Sequence, residues 1–227
     1  MVFVHRLFPS PMLVGQEMWE AASAGPLLLD LGKTLRRAAI AFLSAMALGT
    51  ALGIAFGRIG WVDRLFSGWL LVGLNLPAVV IAIVLYIWLG LNELSLILAV
   101  ILNKVPLVIA TVREGVRSFA AEHDELGTVF RMSPLRRLRL IFIPQLTPYV
   151  LTAARTGLSL IWKIVLVFEV LGSDGGVGYR IAIMFQFFDI AGIVAYTASF
   201  ILVVLAFEYG VMRPLERRML QWRPVHS

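Results

Sequence analysis

The sequence has 227 residues, of which 59% are hydrophobic and 15% are charged, and this composition excludes a soluble globular domain. Because the sequence contains no cysteine, it has no disulfide bonds, no thiol catalysis and no cysteine-based metal site. The net charge of +6 would favour nucleic acid in a soluble chain, but here it is explained by Lys and Arg in loops between apolar runs, so no nucleic-acid partner is expected.

The apolar pattern divides the chain into three parts. Residues 1–34 contain no run long enough to cross a bilayer, and we expect an extracytoplasmic or interfacial segment in which Met12–Ala22 is compatible with a short helix. Residues 35–212 are predicted to be a transmembrane domain, interrupted by a polar cytoplasmic loop at 113–144. Residues 213–227 are predicted to be a cytoplasmic tail.

The first predicted span is Ala38–Gly57, an uncharged run. Within it Gly49, Gly53 and Gly57 recur at every fourth position, which puts a smooth ridge on one face of a helix. Such a ridge favours close packing against another helix of the same chain, and a dimer interface is the weaker alternative.

The second predicted span lies within Leu65–Asn92, an uncharged run of twenty-eight residues. About 20 residues suffice to cross the hydrocarbon core, so this segment is expected to tilt, to kink or to extend beyond the core. Asn75 and Pro77 predict the position of the kink.

The third predicted span, Leu94–Val112, carries polar residues at mid-depth. We expect Asn103, Lys104 and Pro106 to break it there. A lysine within a membrane segment costs about 2.5–3.5 kcal/mol on insertion scales and usually faces a bundle interior or a wet cavity. Asn103 and Lys104 are therefore candidates for a translocation path.

The fourth predicted span runs from about Gln145 to Leu171 and contains three ionisable residues. Arg155 is interpreted as reaching toward the cytoplasmic surface. Lys163, beside Trp162, is interpreted equally well as lining a path or as pairing within the protein. Glu169 lies six residues from Lys163, too far for pairing on one helical face, so each is expected to find another partner or water. Trp162, Lys163 and Glu169 are further path candidates.

A glycine-rich connection, Ser173–Asp189, follows, and Ile190–Phe207 is the fifth predicted span. The cluster Gly175–Gly178 lacks the preceding strand and the Lys-Ser/Thr pair of a nucleotide-binding loop, so it does not predict a phosphate site. His5, His123 and His226 are far apart in the sequence, and no metal site is expected from them.

The distribution of Lys and Arg predicts the orientation. The stretches 58–64, 113–145 and 213–227 together hold twelve, whereas the opposite set of loops holds five. The positive-inside rule therefore predicts a cytoplasmic loop 113–144, a cytoplasmic C-terminus and an external N-terminus.

The cytoplasmic loop 113–144 is predicted to contain two short helices. Ser133 is expected to cap the second of them and Pro134 to open it. Because Arg136, Arg137 and Arg139 follow on one side, this helix is also suited to lie on anionic lipid headgroups.

Three motifs in this loop carry a family resemblance. Glu125-Leu126-Gly127, Arg131-Met132-Ser133-Pro134 and Ile141-Phe142-Ile143-Pro144 together resemble the cytoplasmic "EAA" loop of ATP-binding-cassette importer permeases. In that family the loop forms a coupling helix that fits a groove on the ATPase subunit. The resemblance implies ATPase coupling by seven residues: Glu125, Leu126, Gly127, Arg131, Met132, Ser133 and Pro134.

Other stretches are similar to the nitrate, sulfonate and taurine permease subfamily, so that the resemblance covers nearly the whole chain. They are Leu7–Pro11, Trp88–Glu93, Phe168–Gly172, Gly176–Tyr179 and Leu215–Arg218. The resemblance implies an all-α, polytopic fold of the type I importer permeases with about five transmembrane helices. Subfamily members usually have one more helix before the Pro-rich stretch near the start, and this chain is expected to lack it.

The resemblance also implies the partners. A second permease subunit, forming a homodimer or a heterodimer, two cytoplasmic ATPase subunits and an extracytoplasmic substrate-binding protein are expected in a bacterial inner membrane. ATP and Mg²⁺ would bind the ATPase, so this chain is expected to be neither an enzyme nor a cofactor-binding protein. It would form the translocation path for a small anionic or polar solute.

Three features leave alternatives open. Leu126 and Gly127 replace two alanines of the usual loop and Arg131 replaces a glycine, which suggests a partner-specific ATPase contact. A non-transporting membrane scaffold that recruits a cytosolic partner would also need a basic loop, and it remains the alternative function. The substrate is not identified by the sequence, because Ala78 and Ile83 replace prolines that are usual in the subfamily.

Overall fold

The structure is a computed structural model that describes residues 8–118 and 132–220. These residues form helices and short connections and contain no strand, which confirms the all-α prediction. The helices, in chain order, are α1 (Pro11–Ser23), α2 (Leu27–Arg58), α3 (Gly60–Asn75), α4 (Ala78–Leu89), α5 (Glu93–Arg117), α6 (Pro134–Arg137), α7 (Ile143–Gly172), α8 (Val177–Gln186), α9 (Ile190–Phe207) and α10 (Arg213–Leu220). Single π-helical turns, Leu138–Phe142 and Glu208–Met212, precede α7 and α10.

Side chains that directly precede a helix cap the starts of α1, α6 and α9. The Ser10 hydroxyl accepts a hydrogen bond from the amide of Leu13 at the start of α1. The Ser133 hydroxyl does the same for the amide of Arg136, with Pro134 as the first residue of α6, which confirms the predicted start. Asp189 accepts from the amide of Gly192 at the start of α9. Each cap satisfies an amide that has no partner inside its own helix.

The predicted spans map onto the helices with two differences. The first span lies within α2, which begins at Leu27 rather than at Ala38. The expected break in the third span is wrong, because α5 continues through Pro106. A proline removes one intrahelical donor but can be tolerated in a membrane helix when neighbouring groups satisfy the freed carbonyl. The fifth span coincides with α9.

The kink predicted in the second span is found at Leu76 and Pro77, between α3 and α4. Both residues have extended backbone angles, since proline disfavours the helical conformation of the residue before it. The side-chain amide of Asn75 donates to the carbonyl of Leu71, 2.8 Å away, and satisfies an acceptor in the last turn of α3.

The chain packs as two units, and each is described by itself. Unit 1 contains residues 8–41, 77–100 and 160–213. Unit 2 contains residues 42–76, 101–118, 132–159 and 214–220.

In unit 2 the glycine ridge of α2 packs against valines of α5. A Cβ atom added to Gly49 or Gly53 would lie within 2.7 Å of the Cβ of Val108 or Val112, and Gly57 faces Val116 in the same way. The glycine ridge is therefore an intrachain packing surface, as the sequence favoured.

The pairing also fixes the direction of the two helices. Each glycine faces the valine 59 residues later along the chain. Because the offset is constant over three turns, α2 and α5 run parallel.

Parallel helices of this length must be joined by a segment that returns to the starting side. Among the described residues four helical stretches are long and apolar enough to cross a membrane, and α3 with α4 is a fifth if the broken pair counts as one span. The parallel alignment of α2 and α5 favours five, as predicted.

In unit 1, α1 and α8 both pack against α9. The predicted glycine-rich connection at 173–189 is only partly a connection, because it contains the ten-residue helix α8. Gly176, with a φ of 103°, makes the turn into α8 in a conformation that favours glycine.

Candidate functional site

The predicted coupling residues are only partly described by the structure. Glu125, Leu126, Gly127 and Arg131 lie outside the described residues. Met132, Ser133 and Pro134 are described, and they form the approach to α6.

The two ends of the cytoplasmic loop are joined at its base. The side-chain oxygens of Ser118, directly after α5, and Tyr149, on α7, are hydrogen-bonded at 2.6 Å. The Tyr149 ring also packs on Gly115, so closely that any side chain at Gly115 would collide with it. The start and the return of the loop are therefore held together on either side of the interval 119–148.

A cleft of about 760 Å³ in unit 2 lies beside this base. Met132 and Pro134, two of the predicted coupling residues, line it together with Arg58. The Arg58 guanidinium lies 4.0 Å from the centre of the Phe142 ring, a cation–π contact that fixes its position. The cleft thus presents an ordered positive charge next to the predicted coupling residues.

Lys104, the path candidate in α5, lies on the packed face of its helix. It is one turn before Val108, and the 59-residue register places it opposite Ala45 of α2. Lys104 is 4% exposed and Ala45 is 1% exposed. The lysine therefore takes a position that valines occupy in the next three turns.

The Lys104 ammonium has no hydrogen bond or ion pair with any residue that the structure describes. Nevertheless its nitrogen is not fully enclosed, because it is absent from the fully buried side-chain nitrogens and oxygens that lack a hydrogen bond within the described ranges. Those atoms are Arg37 Nε and the ion-paired Asp63 Oδ1 and Arg113 Nε, which lie 2.6 Å apart. The Lys104 stem is thus buried while its charged end reaches accessible space. Burial of the stem with an open charged end is typical of a lysine beside a wet cavity.

The other path candidates lie in different surroundings. Asn103 is partly exposed beside Lys104. In unit 1, Trp162 is buried and makes edge-to-face contacts with Phe200 and Phe207, with ring centres 6.1 and 5.9 Å apart. Lys163 is exposed and has no ion pair among the residues described. Trp162 is thus held by aromatic packing, whereas the Lys163 side chain is exposed on the surface of unit 1.

Glu169 belongs to a buried polar network in unit 1. Its carboxylate accepts hydrogen bonds from Arg37 Nη1 at 2.9 Å, from the Thr34 hydroxyl at 2.9 and 3.0 Å and from the amide of Gly178 at 2.9 Å. Arg37 and Glu169 are each 1% exposed. The partner that Glu169 requires inside the membrane domain is therefore Arg37, not either lysine.

The same network holds the connection between α7 and α8. Arg37 also donates to the carbonyl of Gly175 at 2.6 Å, to the Ser173 hydroxyl at 2.9 Å and to Asp174 Oδ1 at 2.8 Å. One guanidinium thus satisfies three acceptors in a four-residue turn.

Side chains from α2 and α7 cap the start of α8. The amides of Gly176, Val177 and Gly178 donate to Asp30, Thr34 and Glu169, respectively. These amides have no acceptor inside α8, and negative charge is favourable at a helix N-terminus. Asp30 is balanced in turn by Arg180 Nε, 3.0 Å from its carboxylate.

Sequence reasoning identified Glu169 but missed Arg37, Asp30 and Thr34. The sequence predicts Arg37 as a loop charge before the first span, whereas it lies inside α2 and is buried. The signal for it was available, because a carboxylate in an apolar run requires a cation, and the glycines that follow Glu169 indicate close backbone approach.

Arg155 makes an ion pair within unit 2. Its Nη1 lies 3.0 Å from Glu216 Oε2 of α10, and its side chain is 51% exposed. The exposed guanidinium of Arg155 is consistent with a side chain that reaches out of the span, and an exposed ion pair of this kind contributes about 0–1 kcal/mol to stability.

Comparisons with known proteins agree with this architecture. The family model described as "Binding-protein-dependent transport system inner membrane component" matches residues 30–221. The riboflavin transport system permease protein RibX of Chloroflexus aurantiacus is 29% identical over 95% of this chain and 80% of its own length. The taurine transport system permease protein TauC of Escherichia coli K12 is 24% identical over 85% of this chain and 70% of its own length.

The fold is also found in solved structures. An amino acid ABC transporter superposes with a TM-score of 0.72 at 18% identity, over 88% of this chain and 98% of the other. At this identity the match concerns the fold alone.

Proposed function

We propose, since the chain belongs to the family of binding-protein-dependent transport system inner membrane components, that it forms the path for a small anionic or polar solute and is driven by separate ATPase subunits. The chain is the permease component of an ATP-binding-cassette importer and a multi-pass membrane protein. Its relatives are transport permeases, which favours this role over a scaffold that only recruits a partner.

The proposal that the solute is anionic rests on the surroundings of Lys104. A cation in a membrane domain is expensive unless a counter-charge or water approaches it. Lys104 has no counter-charge among the described residues, yet its amine reaches accessible space. An anionic solute group would supply the missing charge. The proposed solute class includes both anionic and polar solutes, because one relative is named for taurine and another for riboflavin.

Replacing Lys104 by methionine is expected to weaken the apparent affinity for an anionic solute by roughly 10- to 100-fold, because a hydrogen bond to a charged group contributes about 1.5–3 kcal/mol. Uptake by the complex reconstituted with its ATPase and binding-protein partners measures this, with taurine, methanesulfonate and riboflavin as probes.

Two controls separate path lining from packing. Lys104→Arg keeps the charge and should retain most of the uptake of an anion, whereas Lys104→Met should leave the uptake of a neutral probe and the yield of assembled complex close to those of the parent. Wild-type affinity for the anion in Lys104→Met would refute the role of this lysine.

The coupling role is assigned to the cytoplasmic loop. Its residues Glu125, Leu126, Gly127 and Arg131, with Met132, Ser133 and Pro134, are proposed to contact the ATPase. Support comes from the joined base of the loop and from the basic cleft that Met132 and Pro134 line. An importer permease works with an ATPase and a substrate-binding protein, and we propose a homodimer of this chain on two ATPase subunits.

We propose the inner membrane of a bacterium as the location, with the loop and the C-terminus in the cytoplasm. The parallel alignment of α2 and α5 supports the charge count, because it puts the ends at Arg58 and Arg117 on one side. The stretches predicted on that side contain twelve Lys and Arg, against five on the other side.

A cysteine introduced at Gln16, an exposed position of α1, is expected to react with an impermeant maleimide added to intact cells. Ser10 is less suitable because its hydroxyl caps α1. A cysteine at Arg139 should react only after permeabilisation, and neither measurement has a native thiol background. The reverse pattern would invert the proposed orientation.

A further inference from the structure

An ion cluster in unit 2 connects the start of α3 to the end of α5. The carboxylate of Asp63 is 2.6 Å from Arg113 Nε and is also hydrogen-bonded by Arg117. Asp63 is 9% exposed as a residue, and the side chains of Arg113 and Arg117 are 20% and 40% exposed. The cluster is therefore partly shielded from water, where ion pairs are screened less than at an open surface.

Sequence positions explain why the cluster forms. Arg113 and Arg117 are four residues apart, so they share one face of α5, and they occupy its last two turns, where the helix dipole favours cations. Asp63 lies in the first turn of α3, where an acid is favoured. Two helix ends with complementary charges thus meet at a single carboxylate.

The cluster lies where the loop begins. Arg117 is the last residue of α5, and Ser118 follows it directly. On the other side of α5 the Ser118 hydroxyl and Gly115 are held by Tyr149. The end of α5 is therefore fixed from two sides, by Asp63 and by Tyr149.

Asp63 also connects the end of α5 to the end of α2. Ile59 alone separates α2 from α3, so Asp63 is held close to the end of α2. A force applied to the loop would reach α5 at Arg117 and, through Asp63, the corner between α2 and α3.

We propose that Asp63 is a positioning residue for energy coupling: it holds the end of α5 so that a displacement of the cytoplasmic loop moves α5 together with the α2–α3 corner. The proposal rests on the coupling role of the loop stated under Proposed function. Asp63 contacts neither solute nor ATPase in this role and acts through Arg113 and Arg117.

The test compares Asp63→Asn with the unmodified protein in the reconstituted complex. The measured quantity is the amount of solute taken up per ATP hydrolysed. The solute is whichever of taurine, methanesulfonate and riboflavin the unmodified complex transports. We expect uptake per ATP to fall by about fivefold or more, within the range typical of coupling between sites. The yield of assembled complex should stay within about twofold of the parent, because both arginines keep access to water. Arg117→Gln, which removes the more exposed arginine of the cluster, should lower uptake per ATP in the same direction and remains informative if Asp63→Asn does not assemble.

Arg64→Gln is the matched control. It changes the charge of the neighbouring, exposed residue, which has no ion pair among the residues described, and uptake per ATP should be unchanged. A merely structural role of Asp63 would lower the yield of assembled complex in proportion to uptake and leave uptake per ATP constant.

A spin label on a single cysteine at Glu114 gives a readout that needs no solute. Its mobility should rise in Asp63→Asn and not in Arg64→Gln. Parent-like label mobility and parent-like uptake per ATP in Asp63→Asn would overturn the proposal. Failure of the parent complex to carry any probe would instead count against the proposed function, and the label would still test the contact.

Discussion

Arg37→Met is expected to destabilise the protein by about 3–5 kcal/mol, because it leaves the carboxylate of Glu169 buried without its cation. The same change removes donors to Ser173, Asp174 and Gly175, so the turn before α8 loses its anchor as well. For a chain of this size the loss corresponds to a decrease in Tm of roughly 6 to 20 °C. Thermal unfolding of the purified protein in detergent measures it.

Arg36→Gln is the matched control for this prediction. Arg36 is the adjacent residue and makes an ion pair of 2.6 Å with Glu93, but its side chain is 59% exposed. Exposed ion pairs contribute about 0–1 kcal/mol, so this variant should unfold close to the parent temperature. The double variant Arg37→Met/Glu169→Leu should recover part of the stability, since no buried charge is then left alone. Equal shifts for Arg36→Gln and Arg37→Met would show that burial of Arg37 is unimportant.

Gly53→Leu is expected to destabilise the packing of α2 on α5 by about 3 kcal/mol or more, the upper end of the range for overpacked cores. A Cβ at this position would lie 2.7 Å from Val112 Cβ and 3.1 Å from the carbonyl oxygen of Ile109. Rotation of the Val112 side chain moves only its methyl groups, so neither the Val112 Cβ nor the backbone oxygen of Ile109 can move away without separating the helices. The yield of monodisperse protein and its Tm report the loss.

Gly68→Leu on α3 provides the comparison, because a Cβ there would meet no atom within 4 Å. It should be close to neutral for stability. In Gly53→Ala a second change, Val112→Ala, removes the 2.9 Å contact with Val112 Cγ1 but keeps the contact with its Cβ, so it should recover only a small part of the lost stability. If Gly53→Leu and Gly68→Leu unfold at the same temperature, the glycine ridge is not a tight contact.

The sequence predicted the helices better than it predicted the contacts between them. Apolar length and uncharged runs identify spans because each span satisfies its own backbone within lipid, and Ile190–Phe207 was predicted with the bounds that α9 has. Helix ends fixed by local chemistry were predicted as well, with Ser133 and Pro134 as the example.

Features that depend on distant partners were not predicted. The sequence predicts a loop position for Arg37 because its buried partner, Glu169, is 132 residues away in the sequence. The start of α2 was placed too late for the same reason: Asp30, Thr34 and Arg37 make the segment polar, and only their contacts with the start of α8 explain why it is buried. The sequence predicts a connection in place of α8 because the side chains that cap the start of α8 come from other helices.

The candidate site was predicted unevenly. Lys104 was identified because a charge within an apolar run stands out without knowledge of its surroundings. Asp63 was not, since an acid in a short polar stretch between two spans is indistinguishable from a solvated residue until Arg113 and Arg117 are seen beside it.

The parallel pairing of α2 with α5 has a consequence for biogenesis. Helices that are neighbours in the chain can associate as a hairpin as they leave the ribosome, but a parallel pair cannot. The glycine ridge of α2 has no packing partner in the bilayer until 59 further residues have been synthesised and the intervening span has been inserted. During that interval the ridge is open to lipid or to any other small-residue helix, so the order of insertion, and not only the final contact, decides whether α2 finds its partner.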